Sequence, residues 1–287
     1  MRSFICCVFI LALMTGIPAS AEEEIEGAIG DETTGFKIHP LTEIIDYNRS
    51  NNIENGFSTH RTNYFLPVAV SDCTQNRKDK EVKFQISVKQ RVVRFYGWAF
   101  YLAYTQKSFW QAYDKKNSFP FRENNFNPEL FIRTKMWIGI RADLGIEHES
   151  NGQKLPYSRS WNRIYLSPYY ENDYFICSLK AWYRLKEKKK KEEMDNDGDD
   201  NPDIARYYGY SELNLTAKFP SLRNIWLSGI FRYNPKWNKG SAEINLTMPM
   251  ITNSMKWMVQ YLEGYGESLI DYNIRQRKIG FGVCFTR

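Results

Sequence analysis

The chain has 287 residues, a formal net charge of +6 and a mean hydropathy of −0.55. No window beyond the N-terminus approaches the ~18 uninterrupted apolar residues of a spanning helix, so a helical membrane protein is excluded. The charge is too modest to indicate nucleic-acid binding, although anionic lipid headgroups are a compatible neighbour.

Arg2, the apolar run Phe4 to Met14 and the small residues Pro18-Ala19-Ser20-Ala21 predict a secretory signal peptide over residues 1–21. Residues 22–62 are polar, acidic at first and without sustained period, and are read as a periplasmic N-terminal arm. From Asn63 to the C-terminus (63–287) the pattern changes to segments of about ten residues with period-two alternation, separated by turns. The expected strands are 63–70, 80–90, 95–106, 128–134, 137–149, 158–170, 172–187, 207–219, 223–233, 241–248, 254–265 and 276–286.

These make twelve, an even number that keeps both termini on the periplasmic side of a bacterial barrel. The fold class expected is therefore all-β, a twelve-stranded antiparallel transmembrane β-barrel of the outer-membrane type. Connections after its third, fifth, seventh, ninth and eleventh strands would lie at the cell surface. The 16% aromatic content suits girdles at two membrane interfaces, though a tyrosine-rich soluble sandwich would share it.

The face split is complete in several segments. Val82, Phe84, Ile86 and Val88 oppose Lys83, Gln85, Ser87 and Lys89, a polar row fit to line a lumen. The longest surface connection, Lys186 to Asp203, is a basic run followed by an acidic one and reads as a solvated loop. Its acidic half is only loosely a calcium loop, because Gly198 precedes Asp199. Past the signal segment Cys73, Cys177 and Cys284 remain, with neither disulfide nor metal spacing.

The catalytic hairpin is expected over 137–170. Leu144, Ile146, His148 and Ser150 share one face of its first strand, and Asn162, Ile164 and Leu166 share one face of the second. A hairpin midpoint near Leu155 sets Asn162 opposite His148, so three polar groups converge on the lipid-facing surface, where polar side chains are costly unless they have work or partners. Their types match a hydrolase: Ser150 as hydroxyl nucleophile, His148 as base, and Asn162 to fix the imidazole's orientation. Asn cannot stabilise imidazolium as a carboxylate would, so further electrostatic help for the oxyanion is expected, and a bound cation would serve. The bland alternative is three ordinary polar residues at a strand end. No G-x-S-x-G elbow occurs, which disfavours an α/β-hydrolase.

Residues 147–165, EHESNGQKLPYSRSWNRIY, closely resemble the active-site hairpin of the outer-membrane phospholipase A family, and 104–110, 120–130 and 264–273 resemble further stretches of it in the same order. The resemblance implies a calcium-dependent phospholipase A1/A2 of the Gram-negative outer membrane, active as a homodimer, with membrane phospholipids as substrate and lipid as surroundings. Carried over by position, Ser150, His148 and Asn162 are catalytic, and the backbone N–H groups of Ser150 and Gly152 serve the oxyanion. Calcium would be held by Ser158, the carbonyl of Gln153 and the partner's equivalent of the Ser118 carbonyl. Leu155 stands where the family has an acid, which puts an auxiliary calcium site in doubt. Gln106 is a dimer contact on this reading, since two buried amides can satisfy each other across an apolar interface. The competing expectation is a non-catalytic barrel, a small porin or surface-interaction protein, sharing the hairpin by descent alone.

Overall fold

The computed structural model describes residues 57–72, 78–136, 139–190, 192, 198–219, 222, 225–250 and 255–285. The expected signal peptide, most of the arm, and Cys73 lie outside these residues. The described residues form thirteen strands: β1 (Phe57–Thr59), β2 (Asn63–Ser71), β3 (Lys80–Phe95), β4 (Trp98–Trp110), β5 (Glu123–Lys135), β6 (Ile140–Ser150), β7 (Ser160–Glu171), β8 (Phe175–Leu185), β9 (Ser211–Phe219), β10 (Ile225–Asn234), β11 (Lys239–Pro249), β12 (Met255–Gly264) and β13 (Gln276–Phe285). One short helix, α1 (Ile204–Tyr208), interrupts the series between β8 and β9.

Strands β2 to β13 pair antiparallel in sequence order, and β13 returns to β2, closing the expected twelve-stranded barrel. Closure satisfies every strand edge, the condition for crossing hydrocarbon with a sheet. The segment just before β2, read as part of the arm, holds β1, which pairs with the middle of β3 through Phe57↔Gln90. Among the described residues no helix is long and apolar enough to span a membrane, so any crossing is by strands.

Polarity is inverted relative to a water-soluble domain. Leu144 and Ile146 of β6 are 50% and 52% exposed, whereas Glu147, the next residue along and on the opposite face, is 3% exposed. Lys83, Ser87 and Lys89 of β3 are buried in the lumen while Ile86 is exposed, as the alternation requires. The lumen is filled by ion pairs: Arg61 and Lys180 reach Glu129 and Glu147, and Lys83, Lys278 and Arg122 meet Glu267, Glu81 and Asp271. Buried charges are tolerable only when paired in this way.

Most strand limits shift by a few residues from expectation, and two of the shifts have a clear cause. β5 starts at Glu123 instead of residue 128, because Glu123, Asn125 and Asn127 point into the lumen, where a polar residue is the rule and an apolar signal is absent. β3 runs on to Phe95 and turns into β4 through Tyr96 (φ 44°) and Gly97 (φ 86°), a two-residue turn whose positive φ values match the strand twist.

The surface connections fold over the outer mouth. Ile204 and Tyr208 of α1 pack with Leu269, Tyr272, Trp161 and Trp182 as an aromatic plug under the rim. The described residues of the 186–203 run are of both kinds, exposed and buried. Lys186, Lys188 and Lys189 are exposed, but Asn201 is fully buried and accepts from Ser160 N at 2.9 Å.

Candidate active site

The hairpin β6–β7 stands at the outer rim, and its register pairs His148 with Asn162 and Ser150 with Ser160. Because side chains alternate across a strand, His148 and Ser150 continue the exposed row of Leu144 and Ile146, and Asn162 continues that of Ile164 and Leu166. All three catalytic candidates thus sit together on the barrel's exterior, half-buried. His148 Nδ1 lies 2.8 Å from Asn162 Oδ1. Ser150 follows two residues on, and no hydrogen bond joins it to the ring among the described residues.

The backbone beneath this face is held from inside. Asn127 Nδ2 donates to the carbonyl of His148 at 3.0 Å. On the lumen side, Arg163 forms ion pairs with Glu147 at 3.0 Å and Glu149 at 2.9 Å and stacks on Trp161, whose indole N–H donates to Glu149.

The loop after Ser150 is organised by Asn151. Its Oδ1 accepts from Arg159 N at 2.9 Å and Gln153 N at 3.3 Å, while its Nδ2 donates to Tyr157 O at 2.8 Å. Gln153 Nε2 donates to Glu123 Oε2 at 2.6 Å, tying the loop to β5. Between these anchors Gly152 adopts φ 63°, with space for a Cβ only 3.3 Å from the Phe126 ring. Glycine meets that conformation without strain, and the residue itself is exposed two positions after Ser150.

The expected calcium ligands are oxygens, as a hard cation needs. Ser158 Oγ donates to Asp200 Oδ2 at 2.6 Å, which turns its lone pairs away from the carboxylate, and Asp200 is also 2.7 Å from Lys190 Nζ. The Ser118 carbonyl accepts from Trp110 Nε1 at 2.7 Å and keeps a second lone pair. Among the described residues no group of three His, Cys, Asp or Glu side chains is placed to hold a metal. A hydroxyl and carbonyl oxygens are donors that suit a hard cation. One cleft on the rim joins the two loops, lined by Asn117, Phe119, Arg122, Gly152, Gln153 and Leu155.

Gln106 lies on the outward row of β4 with Phe100, Leu102 and Tyr104. It accepts from Tyr104 OH at 3.1 Å and donates to Ser108 Oγ at 3.0 Å, leaving one N–H and one lone pair for a partner. Asn151, Glu123, Glu187 and Asp200 escaped the sequence reading. Glu123, Glu187 and Asp200 act through contacts more than twenty residues along the chain, whereas Asn151 acts within its own loop and stands beside Ser150 in the sequence.

The family model of phospholipase A1 matches residues 42–285. Phospholipase A1 of Escherichia coli (strain K12) is 37% identical over 233 residues, covering 76% of this chain and 74% of that protein. The solved outer membrane phospholipase A from Escherichia coli aligns with a TM-score of 0.70 and 33% identity, over 80% of this chain and 98% of that one. The outer membrane phospholipase of Salmonella typhi, solved as a dimer with bound calcium, aligns with a TM-score of 0.73 and 31% identity, over 87% and 99%. The chain belongs to the phospholipase A1 family, the outer-membrane phospholipases.

Proposed function

We propose that this barrel hydrolyses both the sn-1 and sn-2 acyl esters of glycerophospholipids, and of lysophospholipids, with Ser150, His148 and Asn162 as its triad. The observation that carries the reading is the 2.8 Å contact of His148 Nδ1 with Asn162 Oδ1 on the apolar outer wall, where acyl chains have access. His148 Nε2 takes the Ser150 proton as Oγ attacks the ester carbonyl. The Ser150 and Gly152 N–H groups receive the oxyanion. As the C–O bond breaks, the imidazolium returns the proton to the departing lysolipid oxygen, and water then releases the fatty acid from Ser150 by the same route.

Calcium would be held by Ser158 and the Gln153 carbonyl of one chain and the Ser118 carbonyl of the other. When bound it supplies positive charge beside the oxyanion. Gln106 would face its counterpart in that dimer, making the pairing both the activating step and the completion of the metal site.

Fatty-acid release from phospholipid–detergent micelles by the purified full chain tests this reading. Release is expected with calcium and is lost with chelator. No release under either condition would leave a passive barrel.

A further inference from the structure

Asn162 has a second partner. Its Nδ2 donates to Glu187 Oε1 at 3.0 Å, while its Oδ1 meets His148 Nδ1 at 2.8 Å. Glu187 lies just past β8, where Leu185 pairs with Asn162, so it extends the outward row of Tyr183 and Leu185 onto the same exterior face as the triad. The acid comes from the charged run 186–203, and its neighbours Lys186 and Lys188 point to solvent.

We propose that Glu187 is a positioning residue for the reaction, acting on His148 through Asn162; the inference rests on the triad reading above. A carboxylate accepts hydrogen bonds and donates none, so the amide must turn its nitrogen to Glu187 and its oxygen to the ring. An amide oxygen also only accepts, so the ring nitrogen facing it carries the proton. The Nδ1–H tautomer is thereby fixed and the Nε2 lone pair is left for Ser150. Two successive polarity constraints set the state of the base, and neither exists without the acid. The same carboxylate places a negative charge one amide away from the imidazole, where it opposes the positive charge formed when Nε2 takes the proton. That supplies part of what an asparagine alone lacks.

The full chain in calcium-loaded micelles is compared as parent, Glu187→Ala, Glu187→Asp, Asn162→Ala and the double variant Asn162→Ala/Glu187→Ala, each checked for the heat-modifiable gel shift of a folded barrel. Glu187→Ala is expected to lower kcat about 10-fold with KM unchanged, the size of one lost charge-assisted contact. Glu187→Asp should recover most of that loss, and 15N signals of the imidazole should report the Nε2–H tautomer growing in only when the acid is absent. In the Asn162→Ala background, removing Glu187 should change the rate less than about 2-fold, because its effect travels through the amide. Parent kcat in Glu187→Ala, or an equal loss with and without Asn162, overturns the positioning role and leaves the triad standing. A full rate in Asn162→Ala overturns the triad reading and this inference with it.

Discussion

Asn127, buried in the lumen, donates from Nδ2 to the backbone carbonyl of His148 across 3.0 Å, and its own Oδ1 accepts from Arg61 at 3.0 Å. An interior side chain thus fixes the backbone beneath an exterior imidazole, and a residue preceding the first barrel strand fixes that side chain. Asn127→Ala should keep the barrel folded, cost about 1 kcal/mol of stability for the lost hydrogen bond, and lower turnover several-fold with the loosened base. Thermal unfolding and fatty-acid release, measured together, check this. Unchanged turnover would show that the interior contact does not reach the site.

Arg163 joins the two strands of the hairpin from below. Replacing it with Met removes the ion-pair partner of Glu149 and one of the three cations around Glu147, which keeps Lys180 and Arg61, and costs on the order of 3 kcal/mol. The expected result is a clear drop in the denaturant midpoint. A midpoint equal to the parent's would mean that Lys180 and Arg61 already neutralise the pair.

At Gly152 an alanine meets two penalties, the positive φ and the Phe126 ring 3.3 Å from its Cβ. Gly152→Ala should reduce kcat about 10²-fold through the displaced N–H. Adding Phe126→Leu relieves the second penalty and not the first, so activity should stay low. Full recovery in the double variant would assign the loss to crowding alone.

Glu267 links the outer segment between β12 and β13 to the barrel wall. Burial opposes its charge, yet Lys278 and Lys83 outweigh burial and hold the carboxyl below its ordinary range. A depressed folded-state value stabilises above the unfolded-state value, about pH 4, and that stability is lost as pH falls through the folded one. Glu267→Gln should therefore melt below the parent at pH 7, with the gap narrowing as the medium is acidified below about pH 4. A gap independent of pH would contradict the ion-pair account.

Gln106→Leu removes the amide from the outward row of β4 without disturbing the lumen. The monomer should fold as before, while calcium-induced crosslinked dimer and calcium-dependent turnover fall together. Loss of neither would place the dimer contact elsewhere.

The barrel was legible in the sequence because lipid and lumen impose opposite requirements on successive residues. Lys83, Gln85, Ser87 and Lys89 against Ile86 and its neighbours state this without ambiguity. The hairpin was legible for the same reason, since His148, Ser150 and Asn162 break the apolar row they belong to. What the alternation could not reveal were contacts made by residues that look at home in water. Glu187 and Asp200 sit in a run whose composition suits a solvated loop, and only the folded chain brings them to Asn162 and Ser158. β1 was hidden as well, being three residues long and too short to show a period.

Peptide mapping after reaction with an alkylsulfonyl fluoride, which traps an activated serine hydroxyl, addresses the triad most directly. Ser150 should carry the label in the parent, His148→Ala should react far more slowly, and Ser150→Ala should neither label nor release fatty acid while retaining its folded gel shift. A label on another residue, or continued hydrolysis by Ser150→Ala, would contradict the assignment of the nucleophile.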